Sequence, residues 1–471
     1  MTMQTYTCIR IGEQRSSPRV WVEGTRLALA GFAPALRYNI EVDREARRLT
    51  LRLAPDGDRL VSRKERAGEL LPVIDICNGG LLAMFAGLEQ LRVVFEDGAV
   101  HFMPLATEAR KQERTERLRE KMARGEPLAC GSVSTGIGAL DWALHTGMEA
   151  EGLAARMALG LDIAPEYIEQ CAAKNPVWRD DTVMIAAPLQ ELAFDRAALA
   201  RLPRLDILAA GLPCTGHSPS GRSKKKLAMG EDDPNVGHLV AGFLALVPVL
   251  NPSILLIENT PAYMSSASFS ILQTQLKEWG YAVHADILHG ADFNELEHRS
   301  RMVLVGVSDG IQFDFSMIQK PAPQARTLGE VLEDVAPDAD CWSEMAGLKA
   351  KQERDKAAGK GFMMQIFNAD SPKISTLTRG LQRNRSTDAK IAHPSNPDLL
   401  RIPLPSEHAA CKSLPPVLVE GMCATKAHEG LGQSIVARPF IALGRALAVS
   451  VQSWFAGLSL AASAEEFALV A

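Results

Sequence analysis

The sequence lacks the cysteine pattern of a zinc-binding or disulfide-rich protein. Its 8 cysteines are scattered through 471 residues, and none of them forms a Cys-x-x-Cys pair or shows the spacing of zinc ligands. Structural zinc sites and the disulfide frameworks of small secreted domains both depend on such spacing. The composition therefore argues against a structural metal, and we predict a protein without a metal site.

Long apolar runs and an excess of positive charge are missing as well. No uninterrupted apolar run approaches the roughly 20 residues that span a bilayer, and the N-terminal stretch lacks the apolar core of a signal peptide. We therefore expect a cytoplasmic protein, in the bacterial cytosol or on the nucleoid, that does not enter a membrane. Because the formal net charge is −5, a nucleic acid would have to bind to local basic patches.

The chain is long enough for two or three domains, and its first 105 residues contain two similar halves. The stretches VWVEGTRLALAGF and PVIDICNGGLLAMF each predict a strand and a short apolar helix ending in Phe, followed by a two-stranded hairpin. This duplication predicts a β-rich domain with pseudo-twofold symmetry. It resembles the AbrB/SymE-like swapped-hairpin proteins, which often bind DNA, although a packing or dimerisation module fits equally well.

Two further segments follow the duplicated region. Residues 106–127 are rich in charged helix formers and predict a solvated connecting helix that ends at Pro127. From Leu128 onward, short apolar strands such as LDILAA and ILLIENTP alternate with helical segments. This alternation predicts an α/β domain with a largely parallel sheet, which we assign to residues 128–310 and 401–471.

The strand-helix alternation stops over residues 311–400. Within residues 373–401, six basic residues outnumber two acidic ones. A charge run of this kind is usually a solvated surface, but in an acidic chain it also suits contact with phosphates. The six residues are Lys373, Arg379, Arg383, Arg385, Lys390 and Arg401.

A glycine-rich turn and an acidic residue indicate a nucleoside cofactor. The stretch GSVSTGIGAL places Gly136 and Gly138 between a predicted strand and an apolar helix. Glycine allows a tight turn and lets a cofactor approach the backbone near the helix N-terminus. Asp162 ends the next predicted strand, where a carboxylate can accept hydrogen bonds from both ribose hydroxyls.

Three polar segments lie at the ends of other predicted strands. Cys214 lies in a polar Pro-Cys loop after LDILAA, which favours a nucleophile over a buried structural thiol. Glu258 and Asn259 end ILLIENTP, and a buried acid there is costly unless it is hydrogen-bonded or donates a proton. Arg299 and Arg301 precede RMVLVGV. Taken separately, the acid and the two arginines are equally compatible with ion pairs.

Taken in order, these segments resemble the DNA (cytosine-5) methyltransferase family. Its motifs are a glycine-rich loop, a ribose acid, Pro-Cys, Glu-Asn-Val, Gln-x-Arg-x-Arg and a closing Gly-Asn-Ser-Val. The chain carries STGIGAL, Asp162, PCTGHS, Glu258-Asn259-Thr260, EHRSR at 297–301 and GQSI at 432–435, and RIPLPSEHAACKSLP resembles the Arg…Glu helix motif. The resemblance covers roughly 128–455. It implies a Rossmann-like α/β methyltransferase domain with residues 311–400 as the target recognition region.

The resemblance also implies the reaction and its residues. A methyl group would pass from S-adenosylmethionine to C5 of a flipped cytosine in double-stranded DNA, with Cys214 bound covalently at C6. Glu258 would protonate N3, and Arg301 with Arg299 would contact the O2 side of the ring. The implied cofactor residues are Ser134, Gly136, Gly138, Leu140, Asp162, Ile163, Pro213, Gln433 and Ser434. The implied DNA contacts are Ser218, Arg222, Lys224, Lys225, Arg379, Arg383 and Arg385.

Several positions depart from the family pattern. Ser134 stands where a Phe usually packs on adenine, and Ile163 stands where an aromatic residue is common. Glu297 replaces the Gln of Gln-x-Arg-x-Arg, and residues 187–189 offer no clear Asp for the adenine amine. We therefore expect remodelled adenine recognition. An RNA substrate and a DNA-binding regulator with a decayed enzyme domain are the alternatives, and the N-terminal domain is a candidate for homodimer formation.

Overall fold

The computed structural model describes residues 5–213, 216–217, 222–223, 225–361 and 363–470, with side chains described up to Leu458. The chain forms two compact units, Met1–Glu113 and Arg114–Ala471. Each unit is described by itself below.

Unit 1 is a β-rich domain with two antiparallel sheets. The sheet orders are β1-β9-β10-β5-β4-β6 and β2-β3-β8-β7. Its elements are β1 Thr5–Arg10, β2 Gly12–Gln14, β3 Ser17–Glu23, α1 Thr25–Leu29, β4 Arg37–Asp43, β5 Arg48–Leu53, β6 Arg59–Leu60, β7 Ser62–Arg66, β8 Glu69–Cys77, α2 Gly79–Leu82, β9 Gln90–Glu96 and β10 Ala99–Pro104.

The two halves of unit 1 have the same order of elements. Strand β3, helix α1 and hairpin β4–β5 have the same order as β8, α2 and β9–β10. The first strands of the two copies pair with each other, with Val20 opposite Ile76, and the hairpins pair through β5 and β10. Asp97 and Gly98 form the turn between β9 and β10, with Gly98 at a φ of +72°. One core holds both copies together, because Val20, Phe32, Ile76 and Phe85 all lie in it.

Helix α3, Ala106–Arg124, carries the chain from unit 1 into unit 2. The prediction that this helix is solvated is wrong for its second half. The buried Arg114 donates from Nε to Ser308 Oγ at 2.8 Å. Arg117 Nε and Lys121 Nζ lie 3.1 and 2.5 Å from the carboxylate of Asp206, whose side chain is 0% exposed. Charged residues can therefore face the protein here, because a buried carboxylate and polar oxygens satisfy them.

These ion pairs predict a stability effect. Replacing Arg117 and Lys121 together by Met leaves Asp206 buried with a backbone donor, Ala129 N, but without either cation. Losing the partners of a buried charge costs about 3 kcal/mol or more, so we expect the thermal midpoint of unit 2 to fall by several degrees. The control is Arg124→Met, because the Arg124–Glu120 pair is about 60% exposed on both sides. Equal midpoints for both variants in differential scanning calorimetry would contradict the assignment.

Unit 2 contains a seven-stranded sheet with the order β13-β12-β11-β14-β15-β17-β16. The strands from β13 to β15 are parallel, whereas β17 runs antiparallel to both of its neighbours. The elements are β11 Leu128–Val133, α4 Ala139–Ala150, β12 Ala155–Asp162, α5 Pro165–Lys174, β13 Val183–Ala186, α6 Leu189–Phe194, α7 Arg196–Leu199, β14 Ile207–Gly211, α8 Leu239–Leu250, β15 Ile254–Asn259, α9 Ala267–Glu278, β16 Tyr281–His289, β17 Ser300–Ser308, α10 Ala346–Ala357, β18 Gln365–Phe367, β19 Ala389–Ala392, β20 Leu400–Arg401, α11 Pro405–Ala410, α12 Ala424–Gln433 and α13 Ala437–Val470. The predicted α/β architecture is confirmed.

Helices cover both faces of this sheet, which explains the continuous apolar strands. Helix α8 contributes Phe243 to one core, and α13 contributes Phe440 and Leu443 to the other. The stretch Ala437–Leu458 of α13 is long and apolar enough to cross a membrane by length and composition. Arg438 and Arg445 interrupt this stretch, so it is not the uninterrupted apolar run that the sequence expectation excluded. Its buried residues pack in the core of unit 2, as those of a core helix do.

The segment between β17 and α11 forms a small sheet with the order β18-β19-β20. It has a separate small core that includes Leu328, Ile374, Leu381 and Ile391. The three strands have only two to four residues each. Such short strands leave almost no periodicity in the sequence, which is why this region was predicted as irregular.

Candidate active site

The ends of five strands meet at one edge of the seven-stranded sheet. Strands β12, β11, β14 and β15 are parallel, so their carboxyl ends lie at the same edge, and the antiparallel β17 begins there. Asp162 ends β12, Gly211 ends β14 and Glu258 lies near the end of β15. Arg301 lies at the start of β17. The topology therefore brings the segments singled out from the sequence to the same edge of the sheet.

The glycine-rich loop and Asp162 form one hydrogen-bonded unit. Gly136 N donates to Asp162 Oδ2 at 2.8 Å, and Ala164 N donates to Oδ1 at 2.9 Å. Gly136 and Gly138 have φ values of +53° and +70°, so both positions favour glycine. A Cβ on Gly138 would lie 2.3 Å from Asn175 Nδ2, whereas one on Gly136 would enter open space. The cradle fits a nucleoside, because each carboxylate oxygen keeps a lone pair for a hydroxyl.

The remaining predicted cofactor residues lie beside this loop or on the closing segment. Ser134, with a φ of +57°, precedes the loop, and Leu140 is half-buried in α4. Ile163, next to Asp162, is 69% exposed, which is unusual for an apolar side chain and suits contact with a flat apolar ligand. Gln433 is exposed, and Ser434 Oγ donates to Leu431 O at 2.7 Å.

The closing segment GQSI, residues 432–435, begins inside a helix. Residues 430–433 belong to the end of helix α12, and the chain leaves the helix only at Ser434. Gly430 is required by packing, because a Cβ there would lie 2.4 Å from the Ile137 side chain in the glycine-rich loop. Helix α12 therefore supports the candidate cofactor loop directly.

Glu258 and Arg301 form a nearly buried ion pair. Arg301 Nε lies 2.5 Å from Glu258 Oε1, and each side chain is 10% exposed. Burial raises the pKa of the Glu258 carboxyl group, and the nearby Arg301 and Arg299 oppose this effect. Glu258 therefore holds its proton to a higher pH than an ordinary glutamate does, although a cation contacts it.

The loop that leads to Cys214 is anchored beside Glu258. Asn259 Nδ2 donates to Leu212 O at 3.1 Å, which fixes the backbone just before Pro213. A Cβ on Gly211 would lie 3.5 Å from Ser134 O and 3.7 Å from Glu258 Oε2, so Gly211 lies between the cofactor loop and the acid. Cys214, together with the predicted DNA contacts Ser218 and Lys224, lies outside the described residues.

The two arginines of the EHRSR segment have different partners. Arg299 Nη2 donates to Gly432 O at 2.7 Å, and its Nη1 lies 3.5 Å from Glu297 Oε1. Only Arg301 of the two has a described ion pair with Glu258. Sequence reasoning missed Lys412, whose Nζ lies 2.7 Å from Glu297 Oε2 in the interior. A single lysine in the turn after a short helix carries no periodic signal that could have revealed it.

The Arg…Glu helix motif is present as a buried pair. Arg401 donates through Nη1 and Nη2 to the two carboxylate oxygens of Glu407, with both distances 2.6 Å. Both residues are almost fully buried. The pair fixes β20 to helix α11. Arg401 therefore has a structural role and is not available for DNA contact.

Some of the other predicted DNA-contacting residues are exposed, whereas others have an ion-pair partner within the chain. Arg222, Arg379 and Arg383 are exposed. Arg385, 51% exposed, has its Nε 3.3 Å from Asp388 Oδ2. Lys225 Nζ lies 2.6 Å from Asp233 Oδ2, so this lysine already has a partner in the chain.

The interpretation of residues 373–401 as one basic surface needs a correction. The buried Lys390 donates from Nζ to Arg385 O and Asp388 O, both at 2.9 Å, and Arg401 is paired with Glu407. Main-chain carbonyls and a carboxylate satisfy these two cations inside the protein. Lys373, Arg379 and Arg383 remain exposed candidates for phosphate contact.

Unit 2 shares its fold with solved methyltransferase structures. The Dnmt2 methyltransferase of S. pombe aligns with a TM-score of 0.53 and 18% identity, covering 69% of this chain and 99% of that one. The methyltransferase EhMeth of Entamoeba histolytica aligns with a TM-score of 0.53 and 15% identity, covering 69% and 98%. The fold is that of a Rossmann-like methyltransferase domain.

The chain is also similar in sequence to type II methyltransferases. The type II methyltransferases M1.ScrFI of Lactococcus lactis subsp. cremoris and M.NlaX of Neisseria lactamica are each 27% identical over 50% of this chain. The matches cover 60% of the length of M1.ScrFI and 74% of the length of M.NlaX, and a match to M.SsoII of Shigella sonnei covers 61% of that protein. The chain therefore spans under two thirds of the length of M1.ScrFI and of M.SsoII. The family model for C-5 cytosine-specific DNA methylases matches residues 186–398. Residues 186–398 of the chain are therefore similar to C-5 cytosine-specific DNA methylases.

Proposed function

We propose that this protein is a DNA (cytosine-5) methyltransferase that methylates C5 of a flipped cytosine through a covalent Cys214 adduct. The observation that carries the proposal is the buried Glu258–Arg301 pair, at the same sheet edge as the Asp162 loop and the strand leading to Cys214. The family and its type II relatives support double-stranded DNA as the substrate.

The residues at this edge suit the chemistry of an unreactive ring carbon. Cytosine C5 becomes nucleophilic once a thiolate adds to C6, and Cys214 supplies that thiolate. Glu258 gives its proton to N3, which neutralises the negative charge that develops on the ring. Arg301 holds the carboxyl group in place. Once C5 carries the methyl group, N3 returns its proton to Glu258. When C5 then loses its own proton to a base, the C6–S bond breaks and the thiolate of Cys214 leaves.

The glycine-rich cradle fits S-adenosylmethionine as the cofactor. Asp162 would bind the ribose hydroxyls, and Ile163 would pack on one face of the adenine. The loop Ser134–Gly138 would surround the amino acid portion, with Leu140, Pro213, Gln433 and Ser434 completing the walls. When bound, the cofactor supplies an electrophilic methyl group. Removal of residues 1–105 should leave its affinity unchanged, because all of these residues lie in unit 2.

Methyl transfer to defined substrates tests this function. Purified protein should incorporate labelled methyl groups into double-stranded DNA, and bisulfite sequencing of host DNA with and without the gene should reveal methylated cytosines in one sequence context. Unlabelled transfer RNA should compete poorly. Transfer to RNA alone would support the alternative substrate, and the absence of transfer to any nucleic acid would refute the proposal.

We further propose that residues 311–400 form the target recognition region, with Arg379 and Arg383 contacting phosphates. Replacing both arginines by Gln should weaken DNA binding uniformly across sequences and reduce the salt slope of log K by about 2, because each phosphate contact contributes about 0.9. Fluorescence anisotropy at several salt concentrations measures both quantities. Exposed Arg196 and Arg201 serve as the control pair. An unchanged affinity and slope in the folded Arg379→Gln/Arg383→Gln variant would exclude this surface.

Finer proposals complete this function. Residues 128–310 and 401–471 form the catalytic domain, and residues 106–127 connect it to the N-terminal domain. Unit 1 supports homodimer formation or DNA binding. An enzyme that acts on DNA would be found in the cytoplasm or on the nucleoid. Arg222 is exposed and could contact DNA directly, whereas Lys225 and Arg385 would contact DNA only after exchanging or sharing Asp233 and Asp388, their present partners. Ser218 and Lys224 are further proposed DNA contacts.

A further inference from the structure

A buried ion pair, Lys412–Glu297, lies next to Arg299. Lys412 follows helix α11, and Glu297 lies in the segment before β17. Both side chains are 0% exposed, and Lys412 Nζ is 2.7 Å from Glu297 Oε2. Burying two charges is costly, so such a pair has to be explained by what it organises.

Glu297 is shared between two cations. Its Oε2 faces Lys412, and its Oε1 lies 3.5 Å from Arg299 Nη1. Arg299 in turn donates to Gly432 O at 2.7 Å, at the end of helix α12. The backbones are also fixed, because Glu297 N donates to Cys411 O at 3.2 Å and Ala437 N donates to Lys412 O at 2.8 Å.

We propose that Glu297 and Lys412 are positioning residues that hold Arg299 between Gly432 and the Glu258–Arg301 pair. This inference rests on the proposed methyltransferase function. The family pattern has a neutral Gln at the position of Glu297, and Lys412 supplies the charge that compensates for the acid. Glu297 and Lys412 therefore act as one unit, and Lys412 is needed because Glu297 is charged.

The charges around Lys412 explain how the unit works. Glu297, Arg299, Arg301 and His408 all interact with it electrostatically. Burial and the repulsion from Arg299 lower the pKa of Lys412, whereas the contact with Glu297 opposes this effect and favours the charged form. Without Lys412, the Glu297 carboxylate would pull the Arg299 guanidinium away from Gly432 O into a closer pair. Without Glu297, the cations would repel one another. Two neutral side chains would impose neither force.

A double-mutant cycle in the full-length protein tests the proposal. Glu297→Gln and Lys412→Met should each lower kcat by on the order of 10- to 100-fold, because small displacements at a reacting centre have effects of this size. The KM for S-adenosylmethionine should change less than kcat, because Asp162 and the glycine-rich loop lie on other elements and only Gln433 and Ser434 of the candidate cofactor residues adjoin Gly432. The Glu297→Gln/Lys412→Met double variant should recover kcat to within about threefold of the wild type.

A matched surface pair provides the control. Lys320 Nζ lies 2.7 Å from Asp292 Oδ2, the same distance as in the buried pair, but these side chains are 62% and 38% exposed. Lys320→Met and Asp292→Asn should have no measurable coupling in kcat or in the thermal midpoint. The buried pair should show strong coupling in both, with each single variant melting below the double variant.

The cycle has outcomes that separate this inference from the proposed function. Wild-type kcat in the folded single variants, or a double variant as slow as the slower single variant, would overturn the inference. If Lys412→Met does not fold, Glu297→Gln alone decides, because a wild-type kcat for it would refute the positioning role. If the wild type transfers no methyl group, the proposed function fails. The thermal cycle still decides whether the two residues act as one unit.

Discussion

A Cys214→Ser variant is expected to lose methyl transfer completely while it still binds DNA. A hydroxyl group is far less ionised than a thiol near neutral pH, so it cannot add to C6 of cytosine at a useful rate. The expected decrease in rate exceeds about 10⁴-fold, the largest that any single substitution here should cause. Transfer of labelled methyl groups to DNA measures the rate, and fluorescence anisotropy measures DNA binding.

Trapping the adduct distinguishes the loss of a nucleophile from a loss of structure. DNA containing 5-fluorocytosine should form a stable covalent complex with the wild type and cofactor, because fluorine cannot leave as a proton. The Cys214→Ser variant should form none, and Cys423→Ser, which changes an exposed cysteine of unit 2, should form as much as the wild type. Residual turnover in Cys214→Ser would rule out the covalent mechanism.

The fold could be predicted where strands and helices are long enough to leave a hydrophobic pattern in the sequence. The buried strands of the large sheet have four to nine residues between helices, and the duplicated half of unit 1 repeats a recognisable order. The prediction that helix α3 is solvated was wrong because Arg114, Arg117 and Lys121 are charged yet face the protein. Residue type alone does not reveal a buried carboxylate such as Asp206 that lies far away in sequence.

The site was predictable to the extent that its residues lie at strand ends. Asp162, Glu258 and Arg301 each lie at the sheet edge where the topology of an open α/β fold places ligands. The division of labour between Arg299 and Arg301 was not predictable, because it depends on the position of Gly432 in a helix that follows more than 100 residues later. Lys412 was missed for the same reason, since its partner Glu297 belongs to another segment.

The pH dependence of kcat gives a second test with a large effect, because it reports the protonation state of Glu258. A buried carboxyl group with a raised pKa is useful as an acid only while it is protonated, so activity should fall as the pH rises through that pKa. Glu258→Gln should lower kcat by about 10²- to 10⁴-fold and remove this alkaline limb, since the amide cannot give up a proton.

Arg301→Met tests the same assignment from the opposite direction. Arg301 favours the ionised form of Glu258, so its removal should raise the pKa of Glu258 further and move the alkaline limb of the profile to higher pH. The rate at the optimum should fall as well, because the carboxyl group loses the contact that orients it. Steady-state kcat measured across the pH range with saturating DNA and cofactor provides the profiles. An alkaline limb that stays at the same pH in both variants would show that another group is titrating, and Glu258 would then not be the proton donor to N3.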